Sequence, residues 1–435
     1  MDTIFDLIHR QNELPKGNIY KKIIKNNTYF YHQYRENGKN YSIKLNNDEI
    51  APLKAQIEER KTIEKNIKTL LKNGNREIEL STFAKEYTGY VMSGNTVVAE
   101  FNKGVLAPPT HKLCPLVIKR TNSIYEFLKS RSIDSGRTNS RLLRKVLNIN
   151  VKDDTLISLC SYAASISDNY WFKPKHSKLK YEDISFNNDI FFDTALKGII
   201  TIYPKKLILT PELTTNGSYE KGWRNIDGDW WLYKVGTVNE RYSEVFYSRL
   251  FEKLNLPTAH YEIDGNYIRT ANFAIETNFE PMVSLVGDNE DIEYIYDVLN
   301  KINHQIALDY LRLITFDVIL NNVDRHNENY GVLRDKETGE IISLAPNYDD
   351  NLSLISRNTT LIAVEQEGFL SLFLKIIRKS KKIKEGLKEI EFPVITSNLL
   401  RSIHEEIGLE IEVDFEAIER YIMFRYEAII KAINK

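Results

Sequence analysis

A change of pattern between residues 306 and 350 constrains the fold of this sequence more than any other feature. Apolar residues recur through 306–320 at helical spacing. A polar loop follows, and two strand-like segments, Tyr330–Arg334 and Ile341–Leu344, flank a turn at Lys336–Gly339. The pattern therefore predicts an apolar helix that delivers a polar loop into a short β-hairpin.

The register of this hairpin brings polar residues together. If the turn is centred near Glu337 and Thr338, residue 329 lies opposite residue 346, so Asn329 and Asp349 emerge at the same end. An amide oxygen beside a carboxylate makes a pair of hard ligands suited to Mg²⁺ that bridges ATP phosphates. Asp324, on the loop before the hairpin, is placed to accept a hydroxyl proton and to align the nucleophile with the γ-phosphate.

A second polar group surrounds a hairpin turn predicted at Asp227-Gly228. A turn centred there puts Lys221 opposite Lys234 and folds the preceding loop over the strand that carries Lys234. Loop amides and hydroxyls, together with an ammonium group, are suited to holding phosphate oxygens. The predicted nucleotide-binding residues are Thr214, Thr215, Asn216, Gly217, Ser218, Lys221 and Lys234. Taken alone, this segment would more simply be an ordinary hairpin with an exposed lysine.

Glu244 lies near the start of a helix predicted at 239–255, at the border of its apolar stripe. A carboxylate beside a buried face requires a cationic partner, and Lys234 is the nearest candidate along the chain. A strand lysine paired with a helix glutamate orients the lysine on ATP phosphates in protein kinases. The alternative is a surface glutamate stabilised by the helix dipole.

The loop pattern Asp324-x-His326-x-x-Asn329, followed by a hairpin and Tyr348-Asp349, resembles the catalytic and metal-binding loops of the HipA-like kinases. Upstream, Gly217-Ser-Tyr-Glu-Lys221 resembles the phosphate-binding loop of that family, Lys234 its ATP lysine, and Ser243-Glu244 part of its lysine-pairing helix. The similarity runs from about residue 87 to the C-terminus.

This resemblance implies an α+β, bilobal kinase-like fold, and an ATP- and Mg²⁺-dependent transfer of the γ-phosphoryl group to a protein Ser or Thr hydroxyl. Similar loops occur in phosphatidylinositol kinases, which share the architecture. The resemblance also implies self-phosphorylation in the loop, where Thr214 matches the modified serine of the family. His326 is expected to brace its loop, and Arg325 departs from the pattern. Asp350 is expected to face solvent, with contact to a second metal as the alternative.

The length of 435 residues predicts more than one domain. We expect a basic accessory module at 1–75, formed by a β-hairpin and a helix, a strand-rich N-lobe at 76–278 and a helical C-lobe at 279–435. Residues 17–72 contain twelve Lys and Arg against six Asp and Glu. A solvated helical face accounts for that excess most simply; an antitoxin-like or nucleic-acid partner is the alternative.

The rest of the composition narrows the class of protein. The net charge is −1, the two cysteines show no metal or disulfide spacing, and no stretch of about 20 apolar residues occurs. We expect a cytoplasmic protein without membrane contact. Two other functions remain open: a small-molecule or lipid kinase with the same machinery, and a non-catalytic pseudokinase or nucleic-acid-binding regulator.

Overall fold

The computed structural model describes most of the chain as a mixed α+β protein with antiparallel sheets. The residues it describes are 10, 14–24, 27–36, 39–72, 88–102, 104–107, 111–133, 136–146, 154–200, 209–215, 217–356 and 368–435. Within these residues, no helix is long and apolar enough to cross a membrane.

The N-terminal module contains one strand more than the sequence predicted. Its strands β1 (Asn18–Ile24), β2 (Asn27–Glu36) and β3 (Lys39–Leu45) form a sheet in that order, followed by helix α1 (Asn47–Lys72). The predicted helix is confirmed. The predicted hairpin corresponds to β2 and β3, and β1 pairs along the other side of β2.

A second sheet follows, with short helices beside it. Its strands are β4 (Gly89–Ser93), β5 (Thr96–Asn102), β6 (Val105–Leu106) and β7 (Tyr170–Pro174), in the order β6-β5-β4-β7. The helices are α2 (Leu116–Thr121), α3 (Ile124–Lys129), α4 (Ser140–Val146), α5 (Asp154–Cys160), α6 (Tyr181–Ile184) and α7 (Phe192–Lys197). Helix α5 ends at Cys160, just before Tyr162 and Ala163, which adopt left-handed backbone conformations that no helix continues through.

The third sheet carries the nucleotide-side residues. Its strands are β8 (Lys221–Ile226), β9 (Asp229–Lys234), β10 (Tyr261–Asp264) and β11 (Tyr267–Ala271), in the order β10-β11-β9-β8. A 3₁₀ turn at Pro211–Thr214 precedes β8, and helix α8 (Val238–Lys253) follows β9. Asp227 and Gly228 both have positive φ, 54° and 101°, as a two-residue hairpin turn of this hand requires. The predicted pairing of Lys221 with Lys234 is confirmed.

The remaining chain forms a small sheet and a helical assembly. The strands are β12 (Thr277–Pro281), β13 (Gly331–Asp335) and β14 (Ile341–Leu344). The helices are α9 (Val283–Val286), α10 (Ile292–Ile302), α11 (His304–Ile319), α12 (Gly368–Lys379), α13 (Lys381–Glu389), α14 (Ser397–Ile407) and α15 (Phe415–Asn434). The largest core includes residues from α8 through to α15. The predicted boundary at 278 falls inside β12, and the division into three domains stays a prediction.

The β13–β14 hairpin has the predicted strands but not the predicted register throughout. Arg334 pairs with Ile341, as expected. A β-bulge between Leu333 and Arg334 then moves Val332 onto Leu344, one residue beyond the expected partner. The predicted pairing of residue 329 with residue 346 is therefore wrong by one residue. Asn329 and Asp349 still lie beyond the same end of the hairpin.

Candidate active site

Lys234, the last residue of β9, is the centre of the site. Its Nζ donates hydrogen bonds to Glu244 Oε1 at 2.7 Å, to Asp349 Oδ1 at 2.8 Å and to the Tyr261 hydroxyl at 3.1 Å. The Lys234 side chain is 9% exposed and that of Glu244 is fully buried. Residues from β9, β10, α8 and the segment after β14 therefore meet at one ammonium group.

The charges in this cluster stabilise one another. Burial by itself lowers the pKa of the Lys234 ammonium, but the Asp349 and Glu244 carboxylates more than offset burial and hold that pKa well above its usual value. For Asp349, burial raises the pKa, and the Lys234 and Lys221 ammonium groups outweigh it and hold the pKa below its usual range. Lys234 is therefore cationic and Asp349 anionic at neutral pH.

The start of α8 fixes where Glu244 points. The Thr237 hydroxyl caps the helix by accepting from Glu240 N at 3.2 Å, and the Glu240 carboxylate accepts from Thr237 N at 2.7 Å. This capping box places the N-cap of the helix three residues after Lys234. The predicted contact between Lys234 and Glu244 is present, and the surface glutamate considered as the alternative does not fit a buried carboxylate. The role of the pair toward ATP stays a prediction.

A backbone clamp brings Asp349 to Lys234 from more than a hundred residues away. Ala259 N donates to Asn347 O at 2.8 Å, and Asn347 N donates to Pro257 O at 3.1 Å, so the segment after β14 lies along the segment before β10. Asp349 then adopts a left-handed backbone conformation with φ 64°. That conformation costs a residue other than glycine roughly 1–3 kcal/mol and persists only where surrounding contacts impose it.

The Asp324 to Asn329 loop is closed by its own hydrogen bonds. His326 N donates to Asp324 O, and Asn329 N donates to His326 O, both at 2.9 Å. The Asn329 side-chain nitrogen donates to Asp324 O at 2.9 Å, which leaves the amide oxygen as the end available to a metal ion. His326 Nδ1 accepts from Glu328 N at 3.3 Å, in agreement with a bracing role. Asp324 is partly exposed.

Arg325, which had no predicted role, lies behind this loop and holds several groups together. Its Nη1 donates to the carbonyls of Asn329 at 2.7 Å and Tyr348 at 2.8 Å. One nitrogen thus holds the backbones of the Asp324 to Asn329 loop and of the Asp349 segment together. Its Nε donates to Asp317 Oδ2 at 3.0 Å, and its side chain is 3% exposed.

The expectation that Asp350 faces solvent is wrong. The residue is 1% exposed, and its Oδ1 accepts from Arg325 at 2.5 Å and from Asn322 at 3.0 Å. Its Oδ2 accepts from Asn347 at 2.6 Å. Both oxygens are engaged, so the alternative role on a second metal does not fit either. Burial raises the pKa of Asp350 to about 7, although Arg325 opposes that rise.

The loop before β8 is shaped differently from the expectation. The hydroxyls of Thr214 and Thr215 both donate to Pro211 O, at 3.3 Å and 2.7 Å, so they stabilise the 3₁₀ turn. Thr215 is also buried. Asn216 lies outside the described residues. Gly217 has φ 106°, a conformation that favours glycine.

Lys221 supplies a second ammonium group beside this loop. A Cβ at Gly217 would collide with Lys221 Nζ, so the glycine lets the loop backbone approach the lysine closely. Burial lowers the pKa of Lys221 to about 8, against a raising influence from Asp349. The carbonyl of Ser218 accepts from Thr138 N at 3.1 Å. Thr138, about 80 residues upstream, therefore helps to hold the loop in place.

These residues fit a magnesium-bound nucleotide. An amide oxygen from Asn329 and a carboxylate from Asp349 are ligands of the kind Mg²⁺ takes. Lys234 and Lys221 place two ammonium groups beside Asp349, and their positive charge suits phosphate oxygens. Glu244 holds Lys234 from the side opposite to solvent.

Sequence reasoning missed two residues of the site, Arg325 and Tyr261. The Tyr261 hydroxyl accepts from Lys234 and, at 3.4 Å, from Asp349 N, so it bridges the two. No local pattern marks a tyrosine in a short strand. For Arg325 a signal exists: Asp317 interrupts the apolar pattern of α11, and a buried carboxylate requires a cation.

Comparisons with known proteins found similar solved structures. No model of a known family matches the chain, and no curated protein matches it. The chain is similar to the proinflammatory kinase CtkA of Helicobacter pylori, with a TM-score of 0.41 and 16% identity over 49% of this chain and 94% of that one. It is also similar to HipA of Shewanella oneidensis MR-1, solved with HipB and operator DNA, with a TM-score of 0.45 and 13% identity over 80% of this chain and 96% of that one.

Proposed function

We propose that this chain is an ATP- and Mg²⁺-dependent protein kinase of the HipA-like type, with a bilobal kinase-like fold and a Ser or Thr hydroxyl of a protein as acceptor. The observation that carries the proposal is the buried ammonium of Lys234 between Glu244 and Asp349, at 2.7 Å and 2.8 Å. A lysine held by a helix glutamate and by a metal-binding aspartate is the arrangement on which kinases depend.

Each side chain then has a defined task. Lys234, held by Glu244, and Lys221 bind phosphate oxygens of the nucleotide through their ammonium groups. Asn329 and Asp349 would hold Mg²⁺, which neutralises charge on the phosphates when it is bound. Tyr261 holds Asp349 in place through its backbone nitrogen, and Arg325 holds Asn329 in place through its backbone carbonyl.

Asp324 acts on the acceptor. Its carboxylate accepts the proton of the Ser or Thr hydroxyl, whose oxygen forms the new bond to the γ-phosphorus while the bond from that phosphorus to the bridging oxygen of ADP breaks. The hydrogen bonds that close the Asp324 to Asn329 loop hold the carboxylate at a fixed distance from the metal ligands. Positioning of this kind supplies much of the rate enhancement in phosphoryl transfer.

A single incubation tests the proposal. The purified chain is incubated with γ-labelled ATP and Mg²⁺, alone and with a mixture of unfolded and folded protein acceptors, and protein-bound label is separated from labelled small molecules. We expect label on protein that is lost in the Asp324→Asn variant and on chelation of Mg²⁺. Mass spectrometry of the labelled chain shows whether Thr214 is modified, as the family resemblance implies.

Two results would replace the proposal. The incubation is repeated with phosphatidylinositol or a mixture of small molecules as acceptor, and label found only there would identify a kinase for a different acceptor. Tight binding of Mg-ATP without any transfer would identify a pseudokinase. An antitoxin-like partner stays a prediction. The phosphorylation assay does not test it, and a binding experiment is needed.

A further inference from the structure

The sheet of the N-terminal module has one face whose composition differs from the other. Residues that pair directly across neighbouring strands lie on the same face, and Tyr20 pairs with Tyr31, Lys22 with Tyr29, and Tyr31 with Lys44. We call this the basic sheet face. Its residues are Asn18, Tyr20, Lys22, Asn27, Tyr29, Tyr31, Gln33, Arg35, Asn40, Ser42 and Lys44.

Charge on the basic sheet face has one sign. Lys22, Arg35 and Lys44 are all exposed. None of the side chains that the structure describes in the three strands is acidic. The opposite face carries the apolar residues Ile19, Ile23, Phe30, Tyr34, Tyr41, Ile43 and Leu45. Three cations therefore lie on the basic sheet face beside amide and hydroxyl groups, and the exposed Lys21 lies on the opposite face with the apolar residues.

We propose that the basic sheet face binds double-stranded DNA, with Lys22, Arg35 and Lys44 on phosphates and the amide side chains toward the base edges. Strand β2 has ten residues and therefore spans about 33 Å, close to one turn of B-DNA. The outer strands lie about 10 Å apart, at about 4.8 Å per strand, and the major groove is about 12 Å wide. The length of β2 therefore matches about one turn of the groove, and two neighbouring strands of the sheet fit within its width.

Two other anionic partners fit this face less well. Single-stranded RNA binds proteins by stacking bases on open aromatic rings. Lys44 Nζ lies 4.5 Å from the centre of the Tyr29 ring and covers it, and Tyr31 is partly buried. Tyr20, which is 51% exposed, is the one open ring among the three tyrosines of this face, so the face offers a single stacking position. An anionic membrane requires apolar side chains that insert beside the basic ones. The exposed Ile23 and Ile43 lie on the opposite face.

A matched pair of neighbouring lysines tests the proposal. Lys21 and Lys22 are both exposed and adjacent in β1, but they point to opposite faces. The full-length chain and its Lys21→Glu and Lys22→Glu variants are titrated into a 30-base-pair duplex at 50 mM salt, with fluorescence anisotropy as readout. We expect Lys22→Glu to weaken binding at least tenfold and Lys21→Glu to weaken it less than threefold. Equal losses would mean that no particular face binds, which overturns the proposal.

The salt dependence gives a second measurement. A triple variant, Lys22→Gln with Arg35→Gln and Lys44→Gln, removes three phosphate contacts and should lower the slope of log K against log salt by about 2.7. Between 50 and 200 mM salt, that difference corresponds to about a 40-fold smaller loss of affinity for the variant. An unchanged slope would overturn the proposal. If the glutamate variants do not fold, the glutamine triple variant still tests it.

The remaining arms distinguish the partner. The same titrations with single-stranded RNA and with phosphatidylserine vesicles should show binding at least tenfold weaker than duplex DNA. Tighter binding to either would overturn the proposal in favour of that ligand, as would the absence of duplex binding at 50 mM salt. Circular dichroism verifies that each variant is folded. ATP binding provides a second check, because none of the substituted residues belongs to the proposed ATP site.

Discussion

Replacing Glu244 by glutamine removes one charge from the centre of the proposed site and almost nothing else. The carboxylate is fully buried and lies 2.7 Å from Lys234 Nζ, so the amide retains the packing but loses a charge-assisted hydrogen bond. Such a bond contributes about 1.5–3 kcal/mol, and each 1.36 kcal/mol of barrier is a factor of ten in rate. If the bond is needed to orient Lys234, turnover should fall about 10- to 150-fold.

The structure also ranks two variants by stability. In Glu244→Gln, Lys234 keeps Asp349 at 2.8 Å, so the ammonium stays paired and the free energy of unfolding should fall by about 1–3 kcal/mol. In Lys234→Met, two carboxylates lose their cation and one of them is fully buried. Breaking a buried pair in that way costs about 3–5 kcal/mol. Lys234→Met should therefore be the less stable protein, although both should lose activity.

A double-mutant cycle on initial phosphorylation rates, with unfolding in urea measured alongside, tests both expectations. The double variant should be little slower than either single one, since residues that act as a unit are strongly non-additive. Glu252→Gln is the matched control: it changes a glutamate of the same helix that pairs with Arg249 outside the site, and it should alter turnover less than about twofold. Rate losses that multiply independently would refute the pairing, and so would a control that loses as much activity as Glu244→Gln.

Three further predictions concern the other proposed ligands. Asp324→Ala and Asp349→Ala should both abolish transfer, but calorimetry should show strongly weakened Mg-ATP binding only for Asp349→Ala; unchanged binding there would assign the metal elsewhere. The value of kcat/KM for Mg-ATP should fall above about pH 8, because the pKa of Lys221 is lowered to about 8 and the cation is lost as pH rises through it. Lys221→Arg should move that fall to higher pH, and an unmoved profile would contradict the assignment. Arg325→Lys keeps the charge but cannot reach both carbonyls, so the Mg²⁺ concentration for half-maximal activity should rise at least tenfold; an unchanged requirement would show that Arg325 does not position the metal ligands.

Sequence reasoning succeeded where short-range geometry decides the outcome. Lys221 faces Lys234 because a two-residue turn at Asp227-Gly228 fixes the register, and Glu244 meets Lys234 because only a short connection separates strand from helix. The contact between Lys234 and Asp349 depends instead on a clamp between residues 257–259 and 347. No local pattern in either segment predicts that contact, because it forms only when the segments that carry Lys234 and Asp349 pack together.

The misassignment of Asp350 shows how a buried charge can still be inferred. An acidic residue in a loop is assigned to solvent by default because burial of an unpaired carboxylate is costly. That argument fails when the interior already contains another buried carboxylate that needs a cation. Asp317, among the buried residues of α11, requires a cation, and Arg325 supplies it. A buried guanidinium in turn accommodates a second carboxylate, and Asp350 occupies that place at 2.5 Å. One carboxylate in an apolar helix therefore implies a charged network, and the network fixes the backbones that carry Asn329 and Asp349.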